Sequence, residues 1–213
     1  MDNSHPGHGS DSDAADWDER HRERPTGAWS ATPNGSLIAE TSDLAPGRAV
    51  DVGCGEGGDA IWLASRGWQV TGVDISQVVL DRAATNATER GLSVDWVCAD
   101  IITDPPTPGG YDLVSTHYPA LLHSADDAAI KALLIGVAPG GTLLVVHHGD
   151  VDPEYAKSYG FDPDDYIQPA DVAVRLDDNW TIHVSETRPR QPTSPGGSSP
   201  HSQDTVLKAR RNM

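Results

Sequence analysis

An apolar stretch, Ala49-Val50-Asp51-Val52, runs directly into Gly53-Cys54-Gly55-Glu56-Gly57-Gly58-Asp59. Apolar residues in a short run predict a strand, the glycines permit a tight turn, and Asp59 suits the first turn of a helix. A strand that feeds a helix through such a turn is the repeating unit of an α/β sheet. The glycines also let the backbone come close to a ligand, and the helix N-terminus offers it free N–H groups and partial positive charge. A loop of this kind binds a nucleotide-like small molecule.

The spacing admits two ligands. Gly53, Gly55 and Gly58 satisfy G-x-G-x-x-G, with Asp74 roughly 20 residues further on, as a dinucleotide fingerprint requires. Gly53, Gly55 and Gly57 equally satisfy D-x-G-x-G-x-G with Asp51 in front. A carboxylate at the strand end repels a pyrophosphate but attracts a ligand that carries an ammonium and a sulfonium. In these residues the chain resembles the class I S-adenosylmethionine-dependent methyltransferases. The resemblance runs over about residues 29–210, most closely to small bacterial enzymes of the tellurite-resistance type.

With 213 residues the chain is long enough for one domain with a good core. No apolar run approaches the ~18 residues a membrane span needs and no signal peptide opens the chain, so the expectation is a cytoplasmic protein without a membrane partner. The two cysteines, Cys54 and Cys98, show no pairing pattern and read as small thiols in a reducing compartment. Net charge is −17, from 32 acidic against 15 basic residues. That field opposes nucleic-acid backbones, and the densest basic segment, Arg20-His21-Arg22-Glu23-Arg24, is interrupted by an acid. A nucleic-acid partner is therefore disfavoured, while monomer and homodimer both remain open.

Residues 1–15 hold almost nothing apolar and read as a disordered acidic tail. The rest reads as one domain, 16–213. Residues 16–46 form an N-terminal helical cap or lid, 47–149 a cofactor-binding core, and 150–213 an acceptor-side insertion with a terminal β-hairpin. Helices are expected near 14–24 and 36–44. Strands at 49–52, 69–73, 94–98, 112–116 and 143–147 then alternate with helices at 59–66, from Ser76 as N-cap to Gly91, and after a capping box of Ser124 and Asp127. Two further strands, 180–187 and 205–210, are joined by a Pro/Gly/Ser-rich loop without room for a crossover helix, so they pair antiparallel. The predicted fold is α/β, a Rossmann-like doubly wound sheet of seven strands, mostly parallel and ending in an antiparallel β-hairpin.

Ligands of open α/β sheets sit beyond the C-terminal strand ends. The resemblance implies that Asp51, Gly53, Cys54, Gly55 and Gly57 cradle S-adenosylmethionine, and that Asp74 with Ile75 meets its ribose. It further implies that Asp100 meets the adenine amine and Ile101 packs the ring, and that Trp29 and Asn34 fold over the cofactor from the N-terminal segment. Asp59 suits capping or local loop structure better than ligand contact.

The fourth strand ends in His117-Tyr118, followed by His123; the fifth ends in His147-His148-Gly149-Asp150. Four of the nine histidines thus fall at one edge, facing the place of the methyl group. Methyl transfer from a sulfonium needs a positioned acceptor and, for a hydroxyl, removal of its proton, which suits histidine. One of His147 and His148 is the expected base, because adjacent strand residues face opposite ways; the alternatives are His117 or His123, and no base at all. His117, which is also expected to touch the cofactor, Tyr118, His123 and Asp150 are the expected acceptor contacts. His147, His148, Asp150 and Asp152 also carry metal-ligand chemistry, but Mg²⁺ prefers oxygen donors and adjacent histidines diverge, so Mg²⁺ is possible and not favoured. Asp104-Pro105-Pro106-Thr107 imitates an amino-methylation motif, yet it precedes the fourth strand and lacks the aromatic residue, so it reads as loop.

The chain is thus expected to methylate a small-molecule acceptor from S-adenosylmethionine, leaving S-adenosylhomocysteine. O-methylation with a histidine base is the favoured chemistry. The alternatives are a chalcogen or thiol acceptor, and a non-catalytic S-adenosylmethionine-binding protein; a nicotinamide oxidoreductase stands further back.

Overall fold

A computed structural model of the protein describes residues 10–23, 32–158, 161–191 and 201–213. Two helices open it, α1 (Ser10–Glu23) and α2 (Gly35–Thr41). The alternating core follows: β1 (Arg48–Val52), α3 (Gly58–Ser65), β2 (Gln69–Asp74), α4 (Gln77–Glu89), β3 (Asp95–Cys98), β4 (Tyr111–His117), α5 (Ala128–Gly136) and β5 (Val137–His148). After it come α6 (Pro153–Ser158), a single 3-10 turn at Pro163–Asp165, α7 (Pro169–Ala173), β6 (Trp180–Pro189) and β7 (Gln203–Arg211). The seven strands form one sheet in the order β3-β2-β1-β4-β5-β7-β6. Strands β1 to β5 are parallel, and β7 runs antiparallel to both β5 and β6. The predicted fold is the observed one.

The central strands are buried on both faces, as their near-continuous apolar runs require. Along β5, Leu143 and Val145 point into one cluster with Val50, Val114 and Leu133, while Leu144 and Val146 point into the other with Leu37, Leu63 and Leu113. Helices α5 and α7 thus cover one face, and α2 and α3 the other. The sheet reversal between β1 and β4, whose connections leave on opposite faces, puts a crevice at their C-terminal ends.

Gly57 fixes how closely α3 sits on the sheet. It has φ 83°, and a Cβ there would stand 2.7 Å from Trp96 Cη2 and 3.0 Å from the Ala83 Cβ, so only glycine fits.

Two helices are capped differently from expectation. Ser76 occupies the N-cap of α4, but its hydroxyl donates to Asp18 at 2.6 Å, and that carboxylate accepts the Val78 N–H at 3.3 Å. The side-chain cap therefore comes from α1, 58 residues upstream. The capping box of Ser124 and Asp127 does not form either. Helix α5 begins at Ala128, whose N–H donates to Ser124 Oγ at 3.0 Å, while Asp127 turns out at φ 55° to pair with Arg175 at 2.7 Å. A bidentate arginine competes better for that carboxylate than the helix end does. Helix α1 also starts earlier than expected, at Ser10.

Candidate functional site

The glycine turn is built at the β1 end. Gly53 and Gly55 have φ of 70° and 53°, and a Cβ added to either would meet nothing within 4 Å. These two glycines face open space, unlike Gly57. The Gly53 and Cys54 N–H groups both donate to the Val73 carbonyl, at 2.8 and 3.0 Å, which ties the turn to β2. Asp74, at the end of β2, completes the frame: its carboxylate accepts the Gly55 N–H and the Ser76 N–H, each at 2.9 Å. Burial pushes the Asp74 carboxyl up, and these N–H donors and the nearby His21 oppose the rise. The Ile75 N–H also reaches this carboxylate, which leaves it one lone pair for a ligand.

Asp51 lies behind the turn, 3% exposed, and its Oδ2 has no hydrogen-bond partner. Burial, with Asp59 and Asp74 close by, drives its carboxyl well above the usual range. A buried acceptor among like charges fits a cationic ligand group, which would supply both the missing donor and the missing charge. The open turn, the ammonium-sized need at Asp51 and the acid at Asp74 together fit S-adenosylmethionine. Asp100 accepts the Ile102 N–H at 2.9 Å in the turn after β3, and Ile101 is buried in the cluster with Val52 and Val73. Ile75 is half-buried beside Asp74, and the buried Cys54 thiol is pushed up by burial and by Asp51. Trp29 lies outside the described residues.

The second half of the site hangs on Asp59, in the first turn of α3. Its carboxylate accepts the Asn34 backbone N–H at 2.6 Å and the Asn34 Nδ2 at 2.8 Å, and its Oδ2 lies 3.2 Å from His117 Nδ1. Sequence reasoning picked Asn34 and His117 separately and missed that Asp59 joins them. The helix-start position of Asp59 was the visible cue. His117 is buried, its Nε2 has no partner, and burial lowers its pKa against the opposing pull of Asp59 and Asp204.

Tyr118 follows at φ 53°, a backbone conformation rare for an aromatic residue. Its hydroxyl donates to Asp204 Oδ1 at 2.9 Å, and the buried Asp204 accepts the Ser36 hydroxyl on its other oxygen at 2.8 Å. A column of rings continues from there. Arg190 lies 4.6 Å over the Tyr118 ring, Tyr118 stacks on His148 at 4.1 Å, and His148 stacks on His201 at 3.9 Å. Burial and the facing His201 and Arg190 hold His148 down at about 3. Asp150 accepts from the Ser202 N–H and hydroxyl, at 2.7 and 2.8 Å, and pairs with His201, so it fastens the start of β7. Arg190, His201 and Asp204 come from the terminal hairpin, whose polar sequence carried no cue to this role.

His147 points to the other face of β5. Its Nδ1 accepts the His148 N–H at 3.0 Å, and its ring donates to the Pro119 carbonyl, proline having no N–H to give. Both nitrogens are thus engaged. His123 pairs with Asp171 of α7 at 3.4 Å, apart from the ring column. Among the described residues no three His, Cys, Asp or Glu side chains are grouped to hold a metal ion. Among the same residues no helix is long and apolar enough to cross a membrane.

Residues 49–141 match the family described as Methyltransferase domain. The ubiquinone biosynthesis O-methyltransferase of Marinobacter nauticus is 38% identical over 114 residues, covering 52% of this chain and 48% of the relative. The chain therefore spans about half the length of that relative. A structure reported for the conversion of a disulfide bond into a thioacetal group during echinomycin biosynthesis aligns with a TM-score of 0.72, covering 93% of this chain and 92% of the other at 23% identity. TehB from Haemophilus influenzae aligns at a TM-score of 0.58 and 16% identity, covering 84% of this chain and 62% of the other, so the narrower likeness to tellurite-resistance enzymes is weak. At these identities the two structures speak for the fold alone. Domain match, sheet order and the acid-led glycine turn agree in likening residues 49–141 to a methyltransferase domain on the class I S-adenosylmethionine-dependent fold.

Proposed function

We propose that the protein transfers a methyl group from S-adenosylmethionine to a hydroxyl of a small-molecule acceptor. The observation that carries this reading is the open turn at Gly53 and Gly55, framed by Asp74 and backed by the unpartnered Asp51 oxygen. Gly53, Cys54 and Gly55 hold the cofactor's amino-acid part with Asp51 facing its ammonium; Asp74 with Ile75 meets the ribose, and Asp100 with Ile101 the adenine. Asn34 closes this half from α2's start. When bound, the cofactor supplies a methyl carbon on a positive sulfur: the oxygen–carbon bond forms as the carbon–sulfur bond breaks, and its electron pair stays on sulfur. The chain's own task is to orient the acceptor, keep water out and take the proton.

The acceptor side is walled by Tyr118, His148 and Asp150, with His123 at its outer margin. Asp59 and Asp204 face His117 together with Arg190, and Asp51 lies among Asp59 and Asp74, a balance of charge that favours a neutral or cationic acceptor over a polyanion. The name of the Marinobacter nauticus relative supports oxygen as the accepting atom. A small-molecule acceptor, no nucleic acid or membrane, and action in the cytoplasm as monomer or homodimer complete the reading.

The test is transfer of labelled methyl from the cofactor into bacterial extract fractionated by size. Label is expected in the small-molecule fraction, with methyl on oxygen by mass spectrometry. Asp74→Ala should weaken S-adenosylhomocysteine binding by about 10–100-fold, the worth of one or two hydrogen bonds to a charged group. Label confined to RNA or DNA, or undiminished binding by the variant, would overturn the reading.

A further inference from the structure

We propose that His117 is the catalytic base of the transfer, with Asp59 and Asn34 as the residues that position it. This rests on the methyl-transfer reading above. Asp59 Oδ2 lies 3.2 Å from His117 Nδ1 and Ser115 Oγ 3.3 Å from the same nitrogen, and a carboxylate so placed favours the ring proton on Nδ1. The lone pair is thereby left on Nε2. That atom is buried and has no partner. Native structures seldom leave a buried acceptor unpaired, and where they do the group commonly has a ligand or a reaction to serve.

Two independent features point to the same place. Strands β1 and β4 are neighbours, with Asp51 opposite Ser115 and Val52 opposite Thr116. The unpartnered Asp51 oxygen and the unpartnered His117 nitrogen therefore sit at adjacent strand ends, one suited to the cofactor's ammonium and the other to the acceptor's hydroxyl. Tyr118 supplies the second feature. Its φ of 53° sends its ring into the column with His148 and Arg190, while His117 turns to Asp59, and the bond to Asp204 holds the strained turn. Backbone strain of this kind persists where a site needs it.

The other three histidines at the sheet edge are differently employed, His123 being paired with Asp171 of α7. His147 has both nitrogens engaged, and His148 is clamped between two rings. The groups facing His117 are Asp59 from α3, Asp204 from β7 and Arg190 beyond β6; burial outweighs the two acids, so the ring stays neutral at pH 7 and ready to accept. In the reaction the acceptor's O–H bond breaks, its proton bonds to Nε2, and its electron pair forms the bond to the methyl carbon. The imidazolium so formed is faced by Asp59, and its proton then passes to solvent.

The experiment has one arm that needs no turnover. In the full-length protein without cofactor, long-range ¹H–¹⁵N correlation of the histidine rings should give His117 as the Nδ1–H tautomer; the Nε2–H tautomer would overturn the proposal. The second arm uses catechol as a hydroxyl probe and dithiothreitol at pH 9 as a probe of which a substantial fraction is already thiolate. His117→Gln should lower kcat for catechol by about 10²–10⁴-fold. Its dithiothreitol rate and S-adenosylhomocysteine Kd should change by less than about 3-fold. Equal loss with both probes would mean that His117 serves the cofactor, and the proposal fails. Asp59→Asn should move the rising limb of kcat/KM for catechol to lower pH, because the carboxylate that raises the ring's affinity for protons is gone; an unmoved limb removes Asp59 from the role. A wild type that binds no S-adenosylhomocysteine and labels neither probe sinks the methyl-transfer reading instead, which the tautomer measurement tells apart.

Discussion

Histidines at one sheet edge look alike in a sequence and differ in what their nitrogens do. His148 is the extreme case, because its stack between Tyr118 and His201 excludes water from both faces. Its pKa of about 3 in the folded protein lies far below the ordinary value near 6.5 expected on unfolding. A depressed folded pKa contributes stability that is present above the unfolded value and lost as pH falls toward the folded one. His117 and His147 act in the same direction, whereas the raised Asp51 and Asp74 act in the opposite one. A difference measurement isolates one member. His148→Phe keeps an aromatic ring in the column and removes the titration. Between pH 6.5 and 5 the wild type should lose about 1.6 kcal/mol more unfolding free energy than the variant, because the unfolded ring goes from half to almost fully protonated and a full proton is worth ~1.4 kcal/mol per pH unit. Urea titrations at the two pH values test this, and parallel losses would show that the ring titrates normally.

At the scale of elements the glycine loop divides into two jobs. Gly57 is a packing glycine, under Trp96 and beside Ala83, while Gly53 and Gly55 face open space. Gly57→Ala adds a methyl group where 2.7 Å is free and strains φ 83°, which should cost about 2–4 kcal/mol. At ~2–4 °C per kcal/mol for a chain of this size, Tm falls by roughly 5–15 °C, while the folded fraction still binds S-adenosylhomocysteine. Gly53→Ala should do the reverse, with a small loss of Tm and a large loss of binding. If the two variants behave alike in thermal melts and calorimetry, the division is wrong. The loop was legible as a loop because glycine spacing is local, and so were the strands at 49–52 and 69–73, since a buried parallel strand needs only a short apolar run. Contacts that cross the chain left no such mark. Asp18 caps α4 from α1, and Asp59 reaches Asn34 and His117 from two other elements. Each is a common polar residue at an ordinary helical position. The ring column draws His201 and Arg190 from a stretch that reads only as linker.

Over the whole molecule the charge is lopsided, with a formal net charge of −17. Salt acts on such a protein in two opposed ways. It weakens attractive pairs, among which Arg22–Asp18, Lys157–Asp162 and Arg175–Asp127 are substantially exposed. Exposed pairs contribute about 0–1 kcal/mol each, so their loss is small. Salt also screens the mutual repulsion of the surplus acids, which at low ionic strength reaches across ~30 Å and at 1 M only ~3 Å. The buried contacts of Glu56 with Arg82 at 3.1 Å and of Glu40 with Arg188 at 2.7 Å are shielded from bulk ions and are retained. Repulsion therefore dominates the balance, and Tm should rise by several degrees between about 0.01 and 1 M NaCl. Sucrose at matched osmolality controls for general exclusion effects and should not reproduce the dependence at low ionic strength. The acids at Asp51, Asp59 and Asp74 add a local version of the same argument. A cationic cofactor relieves repulsion there that salt reaches poorly, so the Tm gain from saturating S-adenosylmethionine should persist in 1 M NaCl. A gain that vanishes in high salt would mean that the cofactor's charge is met at the surface and not at Asp51.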